Sequence, residues 1–178
     1  NYLIHNLAKF MEIFGKFLLK TEYPLKKKLE GGNNFLKPVA QLRLSPTNGK
    51  NISSTGSKMD YSSIFSPNRI GRSDMVEKGK SITLGLEYEK QNLSSEKILG
   101  FNIGNIFKDK KNETLPSKSK HDQTRSDNVG DLFYKCEDEF ELNYNFSYDR
   151  DLRLSNYDAR SAVLWFNKVV ATFDYITK

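Results

Sequence analysis

The chain has 178 residues, 37% of them hydrophobic and 28% charged, with a formal net charge of +6 and a pI of about 9.2. The longest apolar run, residues 162–166, and a mean hydropathy of -0.64 exclude a membrane-crossing helix, which needs roughly 20 consecutive apolar residues. The alternating strands of a transmembrane barrel average out as hydrophilic and are not excluded, and 12% aromatic residues argue against a fully disordered chain.

In residues 1–11, Leu3, Leu7, Phe10 and Met11, continuing to Phe14 and Leu18, fit helical spacing as well as a strand, so this stretch stays open. Alternation then sets in. A strand is predicted near 13–24, with Phe17, Leu19, Thr21 and Tyr23 on one face, followed by a link over 25–34. The next, near 35–44, sets Leu36, Pro38, Ala40, Leu42 and Leu44 opposite Lys37, Val39, Gln41 and Arg43. After a long loop, 45–79, the strand near 80–90 is the cleanest. Ile82, Leu84, Leu86 and Tyr88 oppose Ser81, Thr83, Gly85, Glu87 and Glu89. A helix would smear such a pattern around its circumference, whereas a strand keeps it on two faces.

Further strands are predicted near 98–108, with Leu99, Phe101, Ile103 and Phe107 on one side, and near 129–136, with Leu132, Tyr134 and Cys136. A second long loop, 109–128, lies between them. In 139–149, Phe140, Leu142, Tyr144, Phe146 and Tyr148 oppose Glu139, Glu141, Asn143 and Asn145. The last two strands are placed near 153–166, with its face ambiguous, and 168–177, with Val169, Ala171, Phe173 and Tyr175 together. Long and short links roughly alternate, the short link near 149–152 excepted. The expected fold is therefore all-β: an antiparallel up-and-down transmembrane β-barrel, about eight strands of a larger one, since eight cannot close a wide barrel. A soluble β-sandwich also alternates, but its strands are usually shorter than several of these.

Other chemistry finds little support. The 21 Lys and 7 Arg are scattered, without the aromatic interleaving of a nucleic-acid platform. Lys26–Lys28 and Lys108–Lys111 read as solvated runs in turns. Cys136 has no partner for a bridge, and His5 and His121, far apart, read as surface residues, so neither metal nor cofactor is expected. The pairs Glu87/Glu89 and Glu139/Glu141 lie at i, i+2 on a wet face, where solvated glutamates are commoner than a glycosidase pair. No enzyme is expected.

Three motifs carry a resemblance. Tyr23-Pro24-Leu25, Leu36-Lys37-Pro38-Val39-Ala40-Gln41-Leu42 and Ser45-Pro46 form the first. The most specific runs from Ile64-Phe65-Ser66-Pro67-Asn68-Arg69 through Gly71, Asp74 and Glu77 to Gly79, leading into the strand at 81–88. Arg125-Ser126-Asp127-Asn128-Val129-Gly130 is the third. In this order they resemble the C-terminal barrel domain of the lipopolysaccharide-assembly outer-membrane family LptD (organic solvent tolerance proteins), in its alphaproteobacterial form. Met75 stands where the family usually has Arg, and Ile70 where it usually has Phe.

The resemblance implies an internal piece, spanning 1–178, of that barrel domain in the cell outer membrane. It implies lipopolysaccharide as cargo, a plug lipoprotein and a periplasmic bridge protein as partners, and outer-membrane lipid around the barrel. A porin-like barrel and a soluble sandwich remain the rivals. Asn68, Gly71 and Gly79 suit sharp turns, and Arg69 is expected to pair with Asp74 or Glu77, holding the loop to the barrel wall. Ser126 and Asp127 read as turn formers before a strand, with a direct ligand role as the lesser alternative, and Gly130 completes the motif. Thr83, Glu87, Glu89, Glu139, Glu141, Asn143 and Asn145 are expected to line the lumen.

Overall fold

The structure is a computed structural model that describes residues 9–13, 16–46, 51, 53–54, 59–69, 77–137, 139–153, 155–166 and 169–177. Its strands are β1 (Lys9–Ile13), β2 (Lys16–Glu22), β3 (Leu25–Leu29), β4 (Gly32–Ser45), β5 (Gly79–Gln91), β6 (Lys97–Lys108), β7 (Asn128–Cys136), β8 (Phe140–Tyr148), β9 (Ser155–Phe166) and β10 (Val169–Thr177). All pairs are antiparallel, and the order is β1-β2-β4-β5-β6-β7-β8-β9-β10, with β3 also on β4. The sheet is up-and-down, and β1 and β10 are its two edges.

Ten strands replace the expected eight or so, and one of the differences has a clear cause. Glu22 pairs with Val39 and Leu25 with Leu36, so Tyr23 and Pro24 stand opposite Pro38 and Lys37 with no residue added on either side. Strand β3 continues the line of β2. The ladder lapses because Pro38 has no N–H to donate: the Tyr23 N–H reaches the Pro38 carbonyl, at 3.1 Å, but no N–H returns from Pro38 to the Tyr23 carbonyl. The expected link over 25–34 is thus mostly strand. Its lysine run, Lys26–Lys28, lies within β3 rather than in a turn, and every residue there is exposed.

The corrected strands sharpen the alternation of connections. At one end of the sheet the links are all short: 30–31, 92–96, 137–139 and 167–168. At the other end lie 46–78 and 109–127, with the shorter 14–15 and 149–154 beside them. Short turns at one end and long loops at the other are the habit of outer-membrane barrels.

Burial is inverted relative to a soluble domain. On one face Ile82 is 48% exposed, Leu84 46% and Phe173 61%; on the other Arg43 is 2% exposed and Thr83 1%. The apolar face of β6–β8 carries an aromatic ribbon, with Phe101 stacked on Phe146 and Phe146 flanked by Tyr144 and Tyr148 at ring separations of 5.5 and 5.7 Å. Gly130 makes room for it: a Cβ there would lie 2.4 Å from the Phe146 ring. Among the described residues, no second sheet covers this face.

The polar face is covered instead by the chain's own loops. Within 46–78, α1 (Tyr61–Ile64) begins with a capping box: the Ser63 N–H donates to the Asp60 side chain at 2.7 Å, and the Asp60 N–H donates to the Ser63 hydroxyl at 2.9 Å. The small apolar core is here, Met59, Tyr61 and Ile64 against Ile106 and Val129, with Phe65 alongside. Two glycines paired across β5 and β6, Gly85 and Gly104, form the shallow seat for this helix. A Cβ on Gly85 would lie 2.7 Å from the Phe65 ring, and one on Gly104 2.8 Å from the Ile64 Cδ1. Gly85→Val is therefore expected to unseat the helix at a cost of about 1–3 kcal/mol. Faster proteolysis of the 46–78 loop in the folded full-length protein is the readout; unchanged cleavage would mean the helix does not need this seat.

Candidate functional site

The two long loops meet over the polar face at one buried carboxylate. Glu77 is joined by Arg69, whose Nε donates to Oε2 and whose Nη2 donates to Oε1 at 2.6 Å. The same guanidinium reaches the sheet wall, donating to Ser81 Oγ at 2.8 Å and Thr83 Oγ1 at 3.2 Å. Arg43 of β4 approaches Glu77 at 3.6 Å and donates to the Ser66 carbonyl at 2.5 Å. Lys108, at the end of β6, lies 3.1 Å from Glu77 Oε1 and donates to the carbonyl of His121 in the second loop. His121 Nε2 stands 3.2 Å from Glu77 Oε2 without hydrogen-bonding geometry.

Strand β4, both long loops and the adjoining ends of β5 and β6 are thus tied at a single point. Arg69 pairs with Glu77; Gly71 and Asp74, also singled out in the sequence, lie outside the described residues. His121 is buried rather than on the surface, and Lys108 is a buried ion-pair member rather than part of a solvated turn. Asn68 sits in the turn before Arg69, its N–H donating to Ser66 Oγ at 3.2 Å, and Gly79 opens β5 at φ +113°.

This cluster has a pH dependence. Burial pushes the His121 imidazole from 6.5 down to about 4, against the pull of Glu77. Burial also opposes ionisation of Glu77, yet Arg69 beside it holds the carboxyl well below 4.5. Near neutral pH the imidazole is uncharged and the carboxylate charged. Both folded-state values lie below the unfolded ones, so each contribution is complete above the unfolded value and is lost on acidification. His121 loses its share between 6.5 and about 4, and Glu77 loses its share below 4.5. Cleavage of the 46–78 loop by an acid-tolerant protease should be constant between about pH 7 and 8 and rise below about pH 7, and His121→Gln should remove the upper part of the rise. A flat native profile down to about pH 5 would contradict a buried, neutral His121.

The third motif fastens the second loop. The Ile106 N–H donates to Ser126 Oγ at 2.9 Å, and the Ser126 N–H returns to the Ile106 carbonyl at 3.0 Å. The Asp127 carboxylate is fully buried and accepts from Asn156 at 2.5 Å and Ser147 at 3.3 Å. Burial pushes this carboxyl up, and the Asn156 hydrogen bond offsets part of the rise. Ser126 and Asp127 therefore clamp β7 to β6, β8 and β9, beyond forming a turn.

Of the residues expected along the lumen, Thr83 lies on the polar face but beneath Arg69. Glu87 accepts from the Tyr61 hydroxyl at 3.0 Å and pairs with Lys37 at 2.6 Å. Glu89 accepts from the Gln91 amide at 2.6 Å, and Glu141 from the Asn143 amide at 2.8 Å. Asn145 stands opposite Asp131 and Ala159, half-buried. Glu139 is exposed in the turn before β8 rather than within a strand. Among the described residues, no group of His, Cys, Asp and Glu has the make-up of a metal site.

Sequence comparison places this architecture. No curated protein matches the chain significantly. A family model described as LptD, LPS transport system D, matches residues 12–178. That match takes in the open antiparallel sheet, both loops and the Glu77 cluster, and the family is an outer-membrane one of lipopolysaccharide transport and assembly. The chain belongs to the LptD family.

Proposed function

We propose that this chain is part of the wall of an outer-membrane β-barrel, of the alphaproteobacterial type, that inserts lipopolysaccharide into the outer leaflet. The carrying observation is the inverted burial: greasy side chains such as Leu84 and Phe173 are exposed on one face, while Arg43, Ser81 and Thr83 are buried on the other. Outward apolar residues suit hydrocarbon, and a polar inner wall lets sugar and phosphate groups slide past without trapping them. The acyl chains gain nothing by entering such a wall, so they stay with the membrane while the glycan crosses. The unpaired outer edges of β1 and β10 suit an arc of a wider barrel. The plug lipoprotein and the periplasmic bridge implied by the resemblance would be the protein partners, with transport rather than catalysis as the task. Asn143, Asn145, Glu87, Glu89 and Glu141 belong to the wall in this reading, whereas Arg69 and Glu77 hold the loops that shape its outer mouth.

Depletion of the full-length protein tests it, with lipopolysaccharide at the cell surface as readout. Loss of surface display is expected. Intact display with lost small-solute uptake would replace assembly with a porin's role.

A further inference from the structure

Between α1 and the short turn at 92–96, the polar face holds a cavity of about 370 Å³ whose lining includes Phe35, Lys37, Glu87, Glu89, Lys97 and Asn102. Its polar groups are held before any ligand arrives. Glu87 is fixed by Tyr61 and Lys37, Glu89 by Gln91, and the Asn102 amide donates to Asp131 at 2.9 Å. Lys97 stands over the Phe133 ring at 5.1 Å, and Lys26 over Phe35 at 5.1 Å. Each carboxylate still has lone pairs to offer, and the lysine ammonium has N–H groups to spare.

The charges decide the ligand class. Two lysines and two glutamates cancel, so the cavity has no net pull on a free anion. It does present donors and acceptors side by side, with an aromatic edge, on a wall that water reaches. That combination suits a neutral polyhydroxyl surface, which needs both kinds of partner in alternation. We propose that this cavity is a glycan subsite at the short-turn mouth of the lumen, holding sugar rings of the passing lipopolysaccharide in weak, reversible steps. Weak binding is what conduction requires: favourable enough to admit the chain and loose enough to release it. The subsite rests on the transport reading above and adds to it where the sugar is first held.

The test places a photo-crosslinking amino acid at Phe35 or Lys97 in the full-length protein, with Leu84 on the apolar face as control. Cells making lipopolysaccharide with its full sugar chain are compared with cells whose lipopolysaccharide is truncated towards the lipid. Crosslinks at Phe35 and Lys97 that fall at least fivefold on truncation, with none gained at Leu84, are expected. Delipidated core oligosaccharide should compete in purified protein, and inorganic phosphate should not. Glu89→Gln with Asn102→Ala should lower glycan crosslinking at Phe35 at least threefold. Crosslinks indifferent to truncation, or competed by phosphate alone, overturn the subsite. If depletion abolishes surface display yet neither position ever crosslinks glycan, the subsite falls and transport stands; if display survives depletion, the transport reading falls first.

Discussion

Glu77→Ala will release both long loops from the polar face, at a cost of about 3–5 kcal/mol in loop docking. The size follows from what is left behind. Arg69 loses both of its hydrogen bonds to a carboxylate, while Arg43 and Lys108 lose the one negative group they share in the described structure. Removing one partner of a buried pair leaves the others charged and dry, which costs more than the pair itself contributes. Rapid proteolysis within 46–78 and 109–127, with the sheet still folded, is the expected pattern. Replacing both partners, Arg69→Met with Glu77→Leu, should be milder than Glu77→Ala alone, because the cation with two hydrogen bonds to the carboxylate leaves with it and only Arg43 and Lys108 are left without Glu77. If neither variant is cut faster than the native protein, the loops are held by the apolar core around Ile64 and not by charge.

The parts legible in the sequence were those governed by neighbours two residues apart. In β8, and in β5 from Ile82 to Tyr88, every second residue is apolar, and the pleat alone assigns faces. Strand β3 escaped because its residues are exposed on both faces, so no alternation was selected, and because Tyr23-Pro24 looked like a stop rather than a pause in the ladder. Helix α1 did carry a local signal, Asp60 three residues before Ser63, but four helical residues give no periodicity to read. The Glu77 cluster was half visible. Arg69 lies eight residues from Glu77 and shares its motif, whereas Arg43, Lys108 and His121 arrive from distant stretches through strand register and loop folding. Nothing about a lone histidine in a polar loop marks it as buried. Its position follows only once Ser126 and Asp127 clamp that loop to the strands.

Leu142→Lys and Asn143→Lys, one residue apart in the middle of β8, should differ sharply. The first places an ammonium on the face that carries Tyr144, Phe146 and the exposed leucines of β5, and should destabilise the folded full-length barrel in membranes by about 2–4 kcal/mol. The second places it beside Glu141 on the polar face and should cost less than about 1 kcal/mol, since that charge is solvated or paired. Urea titration in lipid vesicles, read by the mobility difference between folded and unfolded barrel, measures both. Stability alone does not separate hydrocarbon from a protein core, because a lysine is costly in either. Single cysteines supply the distinction: Leu142→Cys, Tyr144→Cys and Phe146→Cys should react with a lipid-phase reagent, and Asn143→Cys and Asn145→Cys only with a water-soluble one. Strict alternation of the two reagents along β8 requires lipid on one side of a single sheet and water on the other. An apolar set shielded from both reagents would mean that another protein layer covers it, and a barrel wall in contact with lipid could not survive that result.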